Sequence, residues 1–296
     1  MKWLITGATG QLGLTAQNFL CNIGQDVTAL DSSELDICDK ERVFAVFRKA
    51  RPSIVLNAAA WTHVDGAENN EVEALRVNGD GAENIALAAS MTQSKLVHLS
   101  TDYVFDGSAK SPIKENSDIR PINAYGRSKA DGERKVLSAY PGGTFLIRTS
   151  WMYSEYGDNF VRKIIEKSKL SSEKFSVVGD QYGQPTYALD LVKQIFLLVN
   201  SRAECGIYHG TNAGETTWYS FARRILELTG DDPDRILYVD SQTTRQSTLR
   251  PHYSVLGHNK WTESGLSIMR HWDMALQDAL PSILRTIQEE NSKNAF

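Results

Sequence analysis

The sequence predicts an α/β protein built on a doubly wound parallel sheet. In the first half of the chain, short β-rich runs alternate with helical stretches. A turn rich in glycine follows the first of these runs directly, and polar residues follow the fourth. Strands that alternate with helices are joined by right-handed crossovers, which bury a parallel sheet between two layers of helices.

Five β-rich runs are the predicted strands of this sheet: 3–5, 26–30, 53–58, 96–100 and 144–148. Periodic stretches predict helices at 12–21, 41–50, 71–90, 125–137, 159–169, 189–199, 220–228 and 272–290. Glycine and proline are most frequent at 107–126 and 179–187, which indicates loops over the edge of the sheet.

Composition excludes several classes of protein. The 296 residues are 41% hydrophobic and 23% charged, and a net charge of −4 does not favour nucleic-acid binding. No apolar run reaches the roughly 18 residues of a membrane span, and we expect a cytoplasmic protein. The three cysteines and six histidines show no disulfide or metal-ligand spacing, so we expect no metal.

The glycine-rich turn has the spacing G-x-x-G-x-x-G, at Gly7, Gly10 and Gly13. Glycines between a strand and a helix let the backbone approach a pyrophosphate, which then lies at the helix N-terminus. The alternative is a tight turn without a ligand. Because a predicted strand precedes the turn and a predicted helix follows it, we favour a dinucleotide site.

The second predicted strand ends at Asp31, eighteen residues after Gly13. An acid near this spacing holds the adenosine ribose hydroxyls and would repel a 2′-phosphate, which favours NADH. An exposed aspartate at a strand end is the alternative, so the coenzyme stays open between NADPH and NADH. Asp36 and Ile37 are candidate contacts of the adenine.

Tyr125 and Lys129 share one face of a predicted helix, four residues apart. A carbonyl that receives a hydride also needs a proton, and a tyrosine with its usual pKa near 10 is a poor acid at neutral pH. We expect the Lys129 ammonium to lower the pKa of Tyr125. Thr101, at the end of the fourth strand, is predicted to polarise the substrate oxygen from the other side.

The chain resembles the dTDP-4-dehydrorhamnose reductase family of extended short-chain dehydrogenases/reductases. The matching stretches are NAAAWTHVDGAE (57–68), STDYVFDG (100–107), PINAYGRSK (121–129), RTSWMY (148–153), DQYGQPT (180–186) and RPHYS (250–254). The resemblance implies NAD(P)H-dependent reduction of the C4 ketone of dTDP-4-dehydro-L-rhamnose to dTDP-L-rhamnose, on a Rossmann-type sheet with a smaller C-terminal α/β substrate domain.

The resemblance also implies roles for single residues. Thr101, Tyr125 and Lys129 match the catalytic positions, and Asn78 matches an asparagine that completes a proton relay. The expected coenzyme contacts, besides Asp31, Asp36, Ile37, Tyr125 and Lys129, are Gly7, Gly10, Gln11, Leu12, Gly13, Ala58, Ala59, Ala60 and Thr62. The expected sugar-nucleotide contacts are Val64, Thr101, Asp102, Tyr103, Trp151, Asn159, Gln184 and Arg250. The alternatives are Thr101 as a cap at the strand end, Trp151 in the core and a surface or salt-bridged Arg250. Asp65 and Glu68 are either sugar contacts or solvated acids or caps.

We expect an NAD(P)-binding domain at 1–150, to which 187–215 returns. The sugar-nucleotide domain is expected at 151–186 and 216–296. Some members of the family use a glutamate just after the glycine loop to bind Mg²⁺ at a dimer contact. Thr15 occupies that place, so the sequence does not favour a Mg²⁺-bridged dimer and leaves a monomer or a homodimer open.

Two other functions stay open at this stage. Relatives reduce other dTDP-4-keto-6-deoxy-sugars, such as the dihydrostreptose type, and the sequence does not report the shape of the sugar pocket. Some proteins of this fold are non-catalytic binding or regulatory subunits. The presence of Thr101, Tyr125 and Lys129 argues against that second class.

Overall fold

The computed structural model describes residues 1–244 and 248–293. Its strands are β1 (Lys2–Thr6), β2 (Asp26–Leu30), β3 (Ile54–Asn57), β4 (Lys95–Thr101), β5 (Thr144–Thr149), β6 (Met152–Tyr153), β7 (Phe175–Val178), β8 (Tyr182–Gly183), β9 (Thr186–Tyr187), β10 (Gly206–His209), β11 (Thr216–Thr217) and β12 (Ile236–Val239). Its α-helices are α1 (Gln11–Asn22), α2 (Lys40–Ala50), α3 (Val64–Asn69), α4 (Glu71–Leu75), α5 (Ala82–Thr92), α6 (Ala124–Ala139), α7 (Phe160–Leu170), α8 (Ala188–Asn200), α9 (Trp218–Thr229), α10 (Asn259–Glu263) and α11 (Trp272–Lys293).

The main sheet is parallel and has the order β10-β5-β4-β3-β1-β2 among the described residues. The predicted α/β class and all five predicted strands are confirmed. The centre of the sheet is buried throughout, since every residue of β3 and β5 is buried and β4 exposes only Lys95. Strands covered on both faces need continuous apolar runs. This requirement explains why short β-rich runs in the sequence predicted the strands.

The later part of the chain contributes to two regions. Strand β10 pairs in parallel with β5 and extends the main sheet, and α8 packs in the core that contains Trp3, Ile5 and Phe145. A separate core gathers side chains of α7, α9 and α11 around the pair β7–β12. The domain boundaries stay predictions, and residues 245–247 and 294–296 of the predicted second domain lie outside the described residues.

The predicted loop at 179–187 contains two short strands. Strand β8 pairs antiparallel with β11, and β9 pairs in parallel with β6. Pairs of two residues carry no hydrophobic period that a sequence pattern could reveal. Nowhere in residues 1–244 and 248–293 is a helix both long enough and apolar enough to cross a membrane.

The helix predicted at 71–90 is interrupted by a π-helical turn at Arg76–Gly81. Helix α6 lies so close to this turn that a Cβ on Gly132 would be 2.1 Å from the carbonyl oxygen of Asn78. A π turn adds one residue to the helix and is frequent near functional sites. Here the turn aims the Asn78 side chain at the backbone of Trp61.

A buried ion pair joins α6 to β5. Arg148 donates to the carboxylate of Glu133 at 2.9 and 2.7 Å, and both side chains are 3% exposed. The hydroxyl of Ser100 donates to the same carboxylate at 2.5 Å. A buried charge is tolerated when its partners satisfy it, so removal of one partner is costly.

We predict that Arg148→Ala lowers the free energy of unfolding by about 3–5 kcal/mol, because it leaves the Glu133 carboxylate buried and unpaired. The matched control is Arg134→Ala on α6, the helix that carries Glu133. Arg134 pairs with Asp131, and its side chain is 70% exposed. The control should cost at most about 1 kcal/mol. Urea unfolding measures both, and equal losses would contradict the assignment.

Candidate active site

A cavity of about 530 Å³ opens at the carboxyl ends of β1, β3, β4 and β5. Ligands of open α/β sheets bind at this edge. The structure brings fifteen of the predicted site residues to its lining: Gly7, Gly10, Gln11, Leu12, Gly13, Ala58, Ala60, Thr62, Val64, Thr101, Asp102, Tyr103, Tyr125, Lys129 and Trp151.

The glycine loop is tight enough to exclude side chains. Gly7 has a φ of +70°, and a Cβ there would lie 2.7 Å from the backbone of Ala58. A Cβ on Gly13 would lie 2.2 Å from the carbonyl oxygen of Gly7. Gly10 is the N-cap of α1, and the positive end of a helix attracts phosphate oxygens. The loop therefore fits a dinucleotide pyrophosphate.

The predicted adenosine contacts lie outside the cavity lining. Asp31 Oδ1 accepts hydrogen bonds from the amide and hydroxyl of Ser33 and the amide of Glu34, which lower the pKa of Asp31. Asp36 Oδ1 accepts from the amide of Cys38. The side chain of Ile37 packs in the core, so its predicted contact with adenine has no support in this placement.

Ala59 also lies outside the lining. It packs against the core beneath the sheet, between two neighbours, Ala58 and Ala60, that do line the cavity. Three consecutive alanines after β3 cannot all face the same ligand, since successive residues of extended chain point to opposite sides.

Helix α6 carries Tyr125 and Lys129 into the cavity. Asn123 caps the helix by accepting from the amide of Gly126 at 2.7 Å. A Cβ on Gly126 would lie 2.2 Å from the carbonyl oxygen of Tyr103. The missing side chain lets the helix lie against the residues that follow β4, and Tyr125 and Thr101 line the same cavity.

Burial dominates the acid–base properties of this pair. It raises the pKa of Tyr125 to about 12, against the lowering effect of the Thr101 hydrogen bond. Burial also lowers the pKa of Lys129 to about 8, and Lys129 Nζ donates to the carbonyl oxygen of Leu99 at 2.6 Å. The expectation that Lys129 lowers the pKa of Tyr125 is not met in this structure. The phenol is instead held protonated, which is the form that can give a proton.

Asn78 lies beside the cavity lining rather than in it. Its Nδ2 donates to Trp61 O at 3.1 Å and to Ser128 Oγ at 2.9 Å, and its Oδ1 accepts from Trp61 N at 2.9 Å. Ser128 in turn donates to the carbonyl oxygen of Tyr125. These bonds occupy the amide, so the geometry supports a positioning role for Asn78 and gives the predicted proton relay no support.

Trp151 forms one wall of the cavity together with Trp218. Their rings stack with centroids 3.6 Å apart and an interplanar angle of 14°. Trp151 has a φ of +46°, a strained conformation for a residue with a side chain. Gly183 permits the approach, because a Cβ there would lie 2.5 Å from the Trp151 ring. Trp151 is partly buried and lines the cavity, which favours the predicted wall over the alternative of a plain core residue.

The structure places Asn159 and Gln184 outside the lining. Asn159 caps α7 and donates to the carbonyl oxygen of Ser154. Gln184 Oε1 accepts from Thr211 and from the amide of Leu256. Both amides are buried and committed to hydrogen bonds within the protein, so their predicted grip on the substrate has no support in this geometry.

Arg250 forms an ion pair with Asp65 at 3.0 Å. This is the salt-bridged arrangement predicted from the sequence as the alternative to phosphate binding. The guanidinium lies close enough to Tyr103, which lines the cavity, to lower the pKa of its phenol against the raising effect of burial. The pair thus borders the site, although neither member lines it. Glu68 accepts from the amide of Ala124 at 2.8 Å and caps α6, so it has the structural role rather than a sugar contact.

Nothing in the described ranges, 1–244 and 248–293, gathers three or more acidic, histidine or cysteine side chains into a metal site. Thr15 is buried, and its hydroxyl donates to the carbonyl oxygen of Gln11 within α1. The predictions about metal and about a Mg²⁺-bridged dimer stay predictions.

Sequence reasoning missed nine residues that line the cavity: Thr9, Leu99, Ser100, Thr149, Ser150, Met152, Gly157, Asp158 and Trp218. Most of them are immediate neighbours of predicted residues, and the strand-end rule could have found them. Trp218 had no such signal, because it belongs to α9 and only the tertiary fold brings it to Trp151.

A Tyr-x-x-x-Lys helix that meets a strand-end threonine beside a glycine loop defines the class of extended short-chain dehydrogenases/reductases. The comparisons with known proteins agree with that class. The sequence profile described as "RmlD substrate binding domain" matches residues 1–285. The chain therefore belongs to this family, the dTDP-4-dehydrorhamnose reductase family.

Three relatives show how similar the chain is to known members. It is 45% identical to a dTDP-4-keto-6-deoxy-D-glucose reductase of Streptomyces niveus, over 95% of this chain and 96% of that protein. It is 40% identical to a dTDP-4-dehydrorhamnose reductase of Streptomyces griseus, over 95% of this chain and 94% of that protein. It is also similar to the Bacillus anthracis dTDP-4-dehydrorhamnose reductase, whose crystal structure is in complex with NADP. The two sequences are 37% identical, and the structures match with a TM-score of 0.91 over 95% of this chain and 99% of that one.

We predict that Gly13→Ala weakens the binding of NADPH or NADH at least tenfold, because the new Cβ would force the loop away from Gly7 O. The matched control is Gly142→Ala, where a Cβ would have nothing within 4 Å. Fluorescence titration with each coenzyme measures the dissociation constants. Unchanged affinity in the Gly13 variant would contradict the predicted role of the loop.

Proposed function

We propose that the chain is an NAD(P)H-dependent reductase of dTDP-linked 4-keto-6-deoxy sugars, with dTDP-4-dehydro-L-rhamnose as substrate and dTDP-L-rhamnose as product. The observation that carries the proposal is that Tyr125, Thr101 and Lys129 together line the cavity that begins at the glycine loop. The named activities of the two Streptomyces relatives share the reduction of a dTDP-linked keto sugar.

The residues present fit a nicotinamide coenzyme. The loop of Gly7, Gly10 and Gly13 would hold its pyrophosphate, and Ala58 and Ala60 line the path from that loop toward Thr101. The coenzyme, when bound, supplies the hydride for the reduction. Both NADPH and NADH are candidates, because Asp31, whose charge would disfavour a 2′-phosphate, is bound to its own turn.

Tyr125 holds the proton that the ketone oxygen requires. Its raised pKa keeps the phenol protonated at neutral pH, so the acid form is available when the substrate arrives. Thr101 also lines the cavity and would offer a second hydroxyl to that oxygen. Lys129 lines the same cavity, and its ammonium donates to the carbonyl oxygen of Leu99 at 2.6 Å, which holds it where the coenzyme would bind.

A second candidate is the reduction of a different dTDP-4-keto-6-deoxy sugar. The observation that favours it is the 45% identity to the Streptomyces niveus protein named for dTDP-4-keto-6-deoxy-D-glucose, against 40% to the Streptomyces griseus dehydrorhamnose reductase. The stacked Trp151 and Trp218 form the wall that would meet the sugar.

We predict that the purified protein oxidises NADPH or NADH when dTDP-4-dehydro-L-rhamnose is supplied, and that the product is dTDP-L-rhamnose. Loss of reduced-nicotinamide absorbance gives the rate, and NMR of the product gives the configuration at C4. Parallel reactions with dTDP-4-keto-6-deoxy-D-glucose separate the two candidates. Turnover of neither sugar with either coenzyme would refute the proposed function.

We predict that Tyr125→Phe lowers kcat by about 10²–10⁴, the range for a positioned proton donor. The matched control is Tyr140→Phe, which removes a phenol just beyond the C-terminal end of the same helix, outside the cavity lining. Steady-state kinetics on both variants measure the effect. A Tyr125 variant with near-normal kcat would show that another group gives the proton.

A further inference from the structure

The carboxyl group of Asp102 lies between two hydroxyl groups. Thr101 Oγ1 donates to Asp102 Oδ1 at 3.1 Å, and Ser254 Oγ donates to Asp102 Oδ2 at 2.6 Å. Asp102 and Ser254 are each 2% exposed, and Asp102 lines the cavity. A buried chain of hydrogen bonds therefore runs from Ser254 to the hydroxyl that faces the predicted substrate oxygen.

Ser254 is itself held in place by the rest of the fold. It belongs to the segment 250–256, whose backbone bonds to distant parts of the chain. The amide of Ser254 donates to Tyr182 O at 2.9 Å, and the amide of Leu256 donates to Gln184 Oε1 at 2.8 Å. The backbone position of Ser254 is thus set independently of Asp102.

The direction of the Thr101 hydroxyl depends on the state of Asp102. A hydroxyl has one proton to donate, and Thr101 gives it to Asp102 while its oxygen accepts from the amide of Tyr103. An ionised carboxylate can only accept, whereas a neutral carboxyl can donate one hydrogen bond. When Asp102 is neutral, its proton on Oδ1 donates to Thr101 Oγ1, and the Thr101 proton is released toward the ketone oxygen.

We propose that Asp102 and Ser254 are positioning residues of the reductase, which decide whether the Thr101 hydroxyl donates to Asp102 or to the substrate ketone. The proposal rests on the proposed function. Ser254 contributes because it donates to Oδ2, which leaves Oδ1 as the carboxyl oxygen that meets Thr101. Neutral Asp102 is the state in which Thr101 assists the reaction.

The surroundings of Asp102 make a neutral state accessible. Burial raises the pKa of Asp102 to about 6, and the bonds from Ser254 and Thr101 lower it. The titratable groups that face it are the phenols of Tyr103 and Tyr125. Beyond them lie the Lys129 ammonium and the ion pair of Arg250 with Asp65. Removal of the Ser254 hydroxyl takes a donor from the carboxylate, so it must raise the pKa of Asp102 further.

A titration tests the pairing without the reaction. The full-length protein is labelled with ¹³C at aspartate side chains, and the Asp102 signal is assigned by its loss in Asp102→Asn. We expect Ser254→Ala to raise the titration midpoint of Asp102 by about one unit, the effect of one hydrogen bond to a charged group. The control Ser94→Ala removes another buried hydroxyl, bonded to Pro52 O far from the cavity, and should leave the midpoint unchanged. An unchanged midpoint in Ser254→Ala overturns the proposal.

The pH dependence of kcat tests the effect on the reaction. We expect kcat of the unmodified protein to fall as pH rises through the pKa of Asp102, because the ionised form withdraws the Thr101 proton. Ser254→Ala should move this fall to higher pH, Ser254→Thr should restore its position, and Asp102→Asn should remove it. A fall that persists in Asp102→Asn overturns the proposal alone. Absence of turnover in the unmodified protein overturns the proposed function and, with it, this proposal.

Discussion

The close approach of α6 to its neighbours is the constraint on which the site depends. Two glycines permit it: a Cβ on Gly126 would lie 2.2 Å from Tyr103 O, and one on Gly132 would lie 2.1 Å from Asn78 O. At this distance the helix places Tyr125 in the same cavity lining as Thr101, and Lys129 Nζ donates to Leu99 O of β4. Larger side chains would push the helix outward and separate the two hydroxyls.

Burial is the second constraint on the site, because it shifts the pKa values of the ionisable groups in the cavity. The same desolvation that keeps Tyr125 protonated also raises the pKa of Asp102 and lowers that of Lys129. A low-dielectric environment favours the neutral form of every ionisable group, whichever its sign. The charges that remain buried nearby are paired, as in Glu133 with Arg148. The cavity is thus lined by groups whose ionisation depends on small changes in their hydrogen bonds.

Whether a predicted site residue lines the cavity depends on the kind of sequence signal that predicted it. Residues at strand ends or in the glycine loop, such as Gly7 and Thr101, line the cavity as expected, because backbone geometry alone directs them there. Residues matched only by their place in a motif divide into two groups, since Val64 and Trp151 line the cavity and others do not. Asn159, Gln184 and Asn78 have amides that the fold uses to hold its own backbone, and a motif does not distinguish that use from ligand binding.

The sequence by itself determined the α/β class, the five first strands of the sheet and the glycine loop, because hydrophobic period and glycine spacing are local properties. Membership in the reductase family also followed from motifs that can be read along the chain. Only the tertiary structure decided the π turn at Arg76–Gly81, the stack of Trp151 on Trp218 and the bond from Ser254 to Asp102. Each of these depends on contacts between parts of the chain that are distant in sequence. Such contacts leave no hydrophobic period that can be read along the chain.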